Sequence, residues 1–127
     1  MSPFIPVSQL ETQLSQAQGG QLPVADLMKA LVAAELVVPS AGQVWSDGSG
    51  FEPLLFSKDG MLLVACFTDR SRIAEYTEMA PHFVMMRGDA FFKGVPEGYG
   101  VAVNPGQEVG FEISPQGLGK VIEDFCM

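Results

Sequence analysis

Phe51-Glu52-Pro53-Leu54-Leu55-Phe56-Ser57-Lys58-Asp59-Gly60-Met61-Leu62-Leu63-Val64-Ala65-Cys66-Phe67 is the stretch on which the fold turns. Phe51 to Phe56 and Met61 to Phe67 are two apolar runs of strand length, joined through Ser57-Lys58-Asp59-Gly60, a turn sequence that predicts a β-hairpin. The second run carries no polar residue on either face of its two-residue repeat, so it is expected to lie inside a sheet, covered on both sides. Pro, Asp and Gly around these runs confine the strands to short lengths.

Upstream, Ser8 and Glu11 form a capping-box pattern, and Leu10, Leu14 and Ala17 repeat at helical spacing until Gly19-Gly20. Pro23 to Ala34 predicts a second helix with Leu27, Met28, Leu31 and Ala34 on one stripe. Leu36 to Val38 reads as a strand stopped by Pro39. Between it and the hairpin, Ala41 to Gly50 is small and polar around Trp45, and Asp47-Gly48-Ser49-Gly50 marks a loop with an exposed tip.

Downstream, Thr68 and Asp69 are good caps for a helix over Arg70 to Met79, where Ile73 and Tyr76 share a face. Phe83 to Met86 reads as a strand, Gly88 to Lys93 as a helical turn, Tyr99 to Val103 as a strand and Asn104-Pro105-Gly106 as a turn. Val109 to Ile113 is a last strand. Ser114-Pro115 then opens a helix with Leu118, Val121, Ile122 and Phe125 at helical spacing. The order ααβββαβ(α)ββα predicts an α+β domain over residues 1–127, with a mixed, largely antiparallel sheet and helices packed on it.

Composition agrees with a packed domain: of 127 residues, 47% are hydrophobic and 17% charged. Fifteen acids against seven bases give a formal charge of −8, which repels phosphate backbones and favours cationic partners. Nucleic acid is therefore not expected as a ligand. No apolar run approaches the roughly 20 residues of a membrane span. No basic residue precedes Lys29, so a cytoplasmic location is expected. Cys66 and Cys126 have no CxxC or histidine spacing that suggests metal, and a reduced pair of structural thiols is expected.

Catalytic motifs are incomplete. His82 is the only histidine and stands beside Pro81 at a strand entrance, a poor place for a triad base. Ser114-Pro115-Gln116-Gly117-Leu118-Gly119-Lys120 lacks the first glycine of a phosphate loop and has Val121 where a magnesium-binding hydroxyl belongs. Gly98-Tyr99-Gly100 runs into a strand without a third glycine, so a dinucleotide fingerprint fails. No cofactor, no metal and no catalytic residue is expected.

The segment order also carries a family resemblance. Pro53-Leu54-Leu55-Phe56, Asp59-Gly60, the strand entering Phe67-Thr68-Asp69-Arg70, and Gly100-Val101-Ala102-Val103-Asn104-Pro105-Gly106 together resemble the N-terminal domain of the SseB family, named for an enhanced-serine-sensitivity phenotype in bacteria. Leu31 to Pro39 is similar to that family's helix-to-strand entry. The chain departs from it with Asp69 where Ser is common. The resemblance implies an architecture and supplies no catalytic residue.

The expected function is a non-enzymatic protein-binding or adaptor module acting through an acidic surface on a basic protein partner. The candidate surface takes in Trp45, Thr68, Asp69, Arg70, Phe91, Phe92, Asn104, Glu123 and Asp124. Thr68-Asp69-Arg70 is either a helix cap or the lining of a polar cleft, and Asn104-Pro105-Gly106 is a turn before it is a recognition loop. Met79, Met85-Met86, Phe91 and Phe92 suit core packing or an adaptable contact patch. Glu123-Asp124 is the solvated side of the last helix. The alternatives are an immunity or inhibitor protein against a basic toxin or enzyme, and a small-molecule sensor linked to serine metabolism. Oligomeric state is not written in these residues.

Overall fold

In the computed structural model, which describes residues 5–126, the chain folds in the order α1 (Gln9–Gln18), α2 (Val24–Ala33), β1 (Glu35–Ser40), β2 (Leu55–Lys58), β3 (Met61–Cys66), a 3-10 helix (Arg70–Tyr76), β4 (His82–Arg87), α3 (Gly88–Gly94), β5 (Gly100–Val103), β6 (Phe111–Ile113) and α4 (Pro115–Phe125). The α+β class and the order of elements are those expected. Strands β2-β3-β5-β6 form one sheet, in which only the β3–β5 pair is parallel. β1 and β4 form an antiparallel ribbon, tied to the larger sheet where Val37 and Phe67 exchange backbone hydrogen bonds of 2.9 and 2.8 Å.

β3 is an interior strand, flanked by β2 and β5. Its two apolar faces are explained by two cores. Val64 and Cys66 join Leu36 and Val38 of β1, Val101 and Val103 of β5 and Ile113 of β6 on the face covered by Leu14, Leu31, Phe92 and Leu118 of the four α-helices. Val37, Ala65 and Phe67 turn the other way, towards Ile73 and Tyr76 of the 3-10 helix. Ile73 and Tyr76 are three residues apart, the spacing that shares a face in a 3-10 helix as well as an α-helix. Asp69 caps this helix by accepting from the Ser71 backbone at 3.0 Å.

The limits of β1 and β2 differ most from expectation, while β3 to β6 shift by one or two residues at their ends. The hairpin turn is only Asp59-Gly60, because both residues take positive φ (52° and 80°) and thereby make the two-residue turn whose twist matches the strands. Ser57 and Lys58 belong to β2, and of the expected Phe51 to Phe56 strand only the last two residues lie in the ladder. Pro39 does not stop β1. Val37 gives both its backbone groups to Phe67, so by alternation Pro39 also faces away from β4, and its missing N–H removes nothing from the β1–β4 ladder.

Gly88 fixes how α3 meets the ribbon. Its N–H bonds to the Ala34 carbonyl at 2.8 Å, and a Cβ at this position would collide with the Leu31 carbonyl of α2. Backbone cannot yield as a side chain does. Gly88→Ala is therefore expected to destabilise the fold by about 1–3 kcal/mol, read as a lower urea midpoint with an unchanged slope. Gly94→Ala, where a Cβ would meet nothing, is the matched control.

Candidate functional site

The described residues hold an apolar groove of about 420 Å³ beside β4. Val84 and Met86 of β4 and Val64 of β3 line it from the sheet. Ala90, Phe91 and Gly94 of α3, with Val95 and Pro96, line it from the helix side. Val44, Trp45, Phe51 and Pro53 line it from the loop between β1 and β2. Strand alternation explains why only one methionine of the adjacent pair is here: Met86 faces the groove, whereas Met85 is 46% exposed on the opposite face.

Trp45 is 60% exposed at this rim. Its loop is built rather than slack: Trp45 N–H bonds to Ser49 O at 3.0 Å, Gly48 N–H to Trp45 O at 2.9 Å, and the Asp47 carboxylate accepts from both the backbone and the hydroxyl of Ser49. Gly48 and Gly50 have the positive φ that the loop requires. The acids Asp47, Glu52, Asp89 and Glu97 each neighbour a lining residue in sequence; among the bases so placed, Arg87 is paired to Asp89 at 3.1 Å and Lys93 precedes Gly94. The segments that line the groove thus carry four acids against two bases.

The second arrangement is a buried polar network on the side of α1. Glu11 is fully buried and takes a two-pronged contact from Arg72, with Nη2 at 2.6 Å and Nε at 3.0 Å. The same carboxylate accepts from the Thr68 hydroxyl at 2.5 Å and from Val7 N–H at 3.0 Å. Asn104 completes it: its Oδ1 accepts from Thr68 N–H, and its Nδ2 donates to the Thr68 hydroxyl and to Val109 O. Burial acts to raise the Glu11 carboxyl, but the hydrogen bonds from Arg72, Thr68 and Val7 and the Arg72 charge together hold it below its ordinary 4.5. No buried side-chain polar atom among the described residues lacks a partner.

The expected site residues therefore separate. Trp45 and Phe91 come together in the groove, while Phe92, one residue on, is fully buried in the core. Thr68 and Asn104 are buried in the network rather than lining an open polar cleft. Asn104 also borders a shallow cavity of about 280 Å³ with Lys58, Gly106 and Glu112, yet its amide is already engaged. Asp69 caps the 3-10 helix, and the bonds to its carboxylate from the Ser71 backbone and hydroxyl lower its pKa. Arg70 is exposed, and Glu123 and Asp124 lie on the exposed side of α4, away from the groove.

Sequence reasoning missed Glu11 and Arg72 as a pair, and the groove residues Val64, Val84, Val95 and Pro96. A signal for Glu11 was present, since it adjoins the stripe of Leu10 and Leu14 and so sits on the inward side of α1. Among the described residues no group of three His, Cys, Asp or Glu is placed to hold a metal. Cys66 and Cys126 are unpaired and buried, and burial pushes both thiols up. No described helix is long and apolar enough to cross a membrane.

Residues 10–120 match the family model of the SseB protein N-terminal domain. No curated protein and no solved structure matches the chain.

Proposed function

We propose that this chain, which belongs to the SseB N-terminal domain family, is a non-enzymatic protein-binding module that receives apolar side chains of a basic partner in the groove between Trp45 and β4. The observation that carries this reading is the composition of the groove. Apart from Ser46, every side chain lining it is apolar, and the residue at its mouth is an exposed tryptophan. Small-molecule sites add a few convergent polar groups to fix their ligand, and this groove has none beyond that serine. An exposed aromatic beside an apolar hollow, on segments that carry charge, is the composition of a protein-contact centre.

Asp47, Glu52 and Glu97 on the segments that line the groove, together with the −8 charge of the chain, favour a partner with lysine or arginine around its apolar anchor. A photo-crosslinking amino acid placed at position 45 in the source cell should capture a discrete protein, whereas one at Glu123 should not. Trp45→Ala is expected to weaken the captured complex by about 2 kcal/mol or more, measured by calorimetry. Glu52→Lys with Glu97→Lys should slow association and flatten its salt dependence, and Glu123→Lys with Asp124→Lys should do so less. Capture of a small molecule instead of a protein, or full affinity in Trp45→Ala, would overturn the reading. Loss of the partner's own enzymatic activity in the complex would mark an inhibitor rather than an adaptor.

A further inference from the structure

The outer edge of β4 is open. Ala34 O, Leu36, Val38 and Ser40 are the positions that face β4, since Gly88 N–H bonds to Ala34 O and Val37 is turned to Phe67. The ladder therefore engages His82, Val84 and Met86; Arg87, the N-cap of α3, gives its C=O to the first turn of that helix, so the groups that point off the free side are the N–H and C=O of Phe83 and Met85. No described residue hydrogen-bonds to them across that side.

Open edges are usually guarded by shortness, lysine, proline or a covering segment. β6 has three residues, and β2 has four ending in Ser57-Lys58. β4 has six, without proline, and its first charge beyond His82 is Arg87 at the far end. Phe83 and Met85 are 38% and 46% exposed on one face of it, and Val84 and Met86 form the groove wall on the other. A strand laid against this edge would meet apolar side chains on both faces, and one face would continue straight into the groove.

We propose that the partner binds by adding an extended strand to β4, with alternate side chains entering the groove beside Trp45 and the others covering Phe83 and Met85. This rests on the protein-binding reading above and specifies its mode: the occupant is a peptide segment with apolar residues at every second position and basic residues at its ends, matched to the −8 charge of the chain. A second copy fits less well. Two chains that each carry a formal charge of −8 repel one another.

The test uses the whole chain and a displayed library of nine-residue peptides with lysine fixed at both ends. The tightest binder is then synthesised with N-methyl groups on one set of alternate residues, or on the other set. One series should lose at least about a hundredfold in affinity, because its N–H groups point to β4, and the other should stay within about threefold. Equal behaviour of both series overturns strand addition; if Trp45→Ala still removes binding, the groove reading survives it. Alternation that persists with no effect of Trp45→Ala supports the edge and sinks the groove. A library without binders, while crosslinking at position 45 still captures a protein, overturns the edge alone. Sedimentation of the free chain as a dimer that Met85→Pro converts to monomer would assign the edge to a second copy and overturn the proposal.

Discussion

Glu11→Gln is expected to destabilise the fold by about 3–5 kcal/mol in urea unfolding at neutral pH, because it leaves the Arg72 guanidinium nearly buried against a neutral amide. Both ends of the pair are held by more than each other. Arg72 also donates to Ile5 O at 2.7 Å, and Glu11 serves Thr68 and Val7. The double variant Glu11→Leu, Arg72→Met removes the stranded charge and should recover part of the loss, though not the acceptor that Thr68 and Val7 require. Recovery to the native value would show that the pair contributes specificity and no net stability.

The same carboxylate sets an acid limit. Its folded pKa lies below 4.5, so its contribution is fully present above pH of about 4.5 and is lost as pH falls through the folded value. The native protein should lose stability across that window, and Glu11→Gln should lack this component of the loss. An identical acid profile in both proteins would mean that the network is not the group being protonated.

The partners of Glu11 in that network were out of reach of the sequence for a physical reason. A capping-box glutamate is ordinarily a local device, and Ser8 does accept from Glu11 N–H at 3.2 Å as the motif requires. What buries the Glu11 side chain is Arg72, 61 residues away, and Thr68, whose hydroxyl reads locally as a cap. The elements that were legible are those fixed by nearest neighbours: the hairpin that closes at Asp59-Gly60, though not its strand limits, the Ser114 cap that accepts from Gly117 N–H at 3.0 Å, and the α2 stripe of Leu27, Met28 and Leu31. Pro39 misled because its tolerance depends on which edge of β1 faces β4. The groove was hidden likewise, since its walls come from Trp45, Val84 and Phe91, on three separate segments.

Phe91 and Phe92 show the same limit within one turn of helix, and their truncation should separate them. Both rings are buried, with centroids 5.7 Å apart, and no sequence period distinguishes adjacent residues that both face inwards. Phe92 is fully buried in the core and lines no groove, so Phe92→Ala leaves a closed apolar void that neither water nor a shift of one side chain can fill. A loss of about 3–5 kcal/mol is expected. Phe91 forms a wall of the groove, so Phe91→Ala enlarges a space already open to solvent, and part of the lost packing is relieved by water or by Trp45 moving inwards. Its stability loss should be smaller, while its effect on partner affinity should be the larger of the two. Urea unfolding and calorimetry on the same pair of variants read both quantities. Equal losses of stability with no change in affinity for Phe91→Ala would place both rings in the core alone and remove Phe91 from the binding surface.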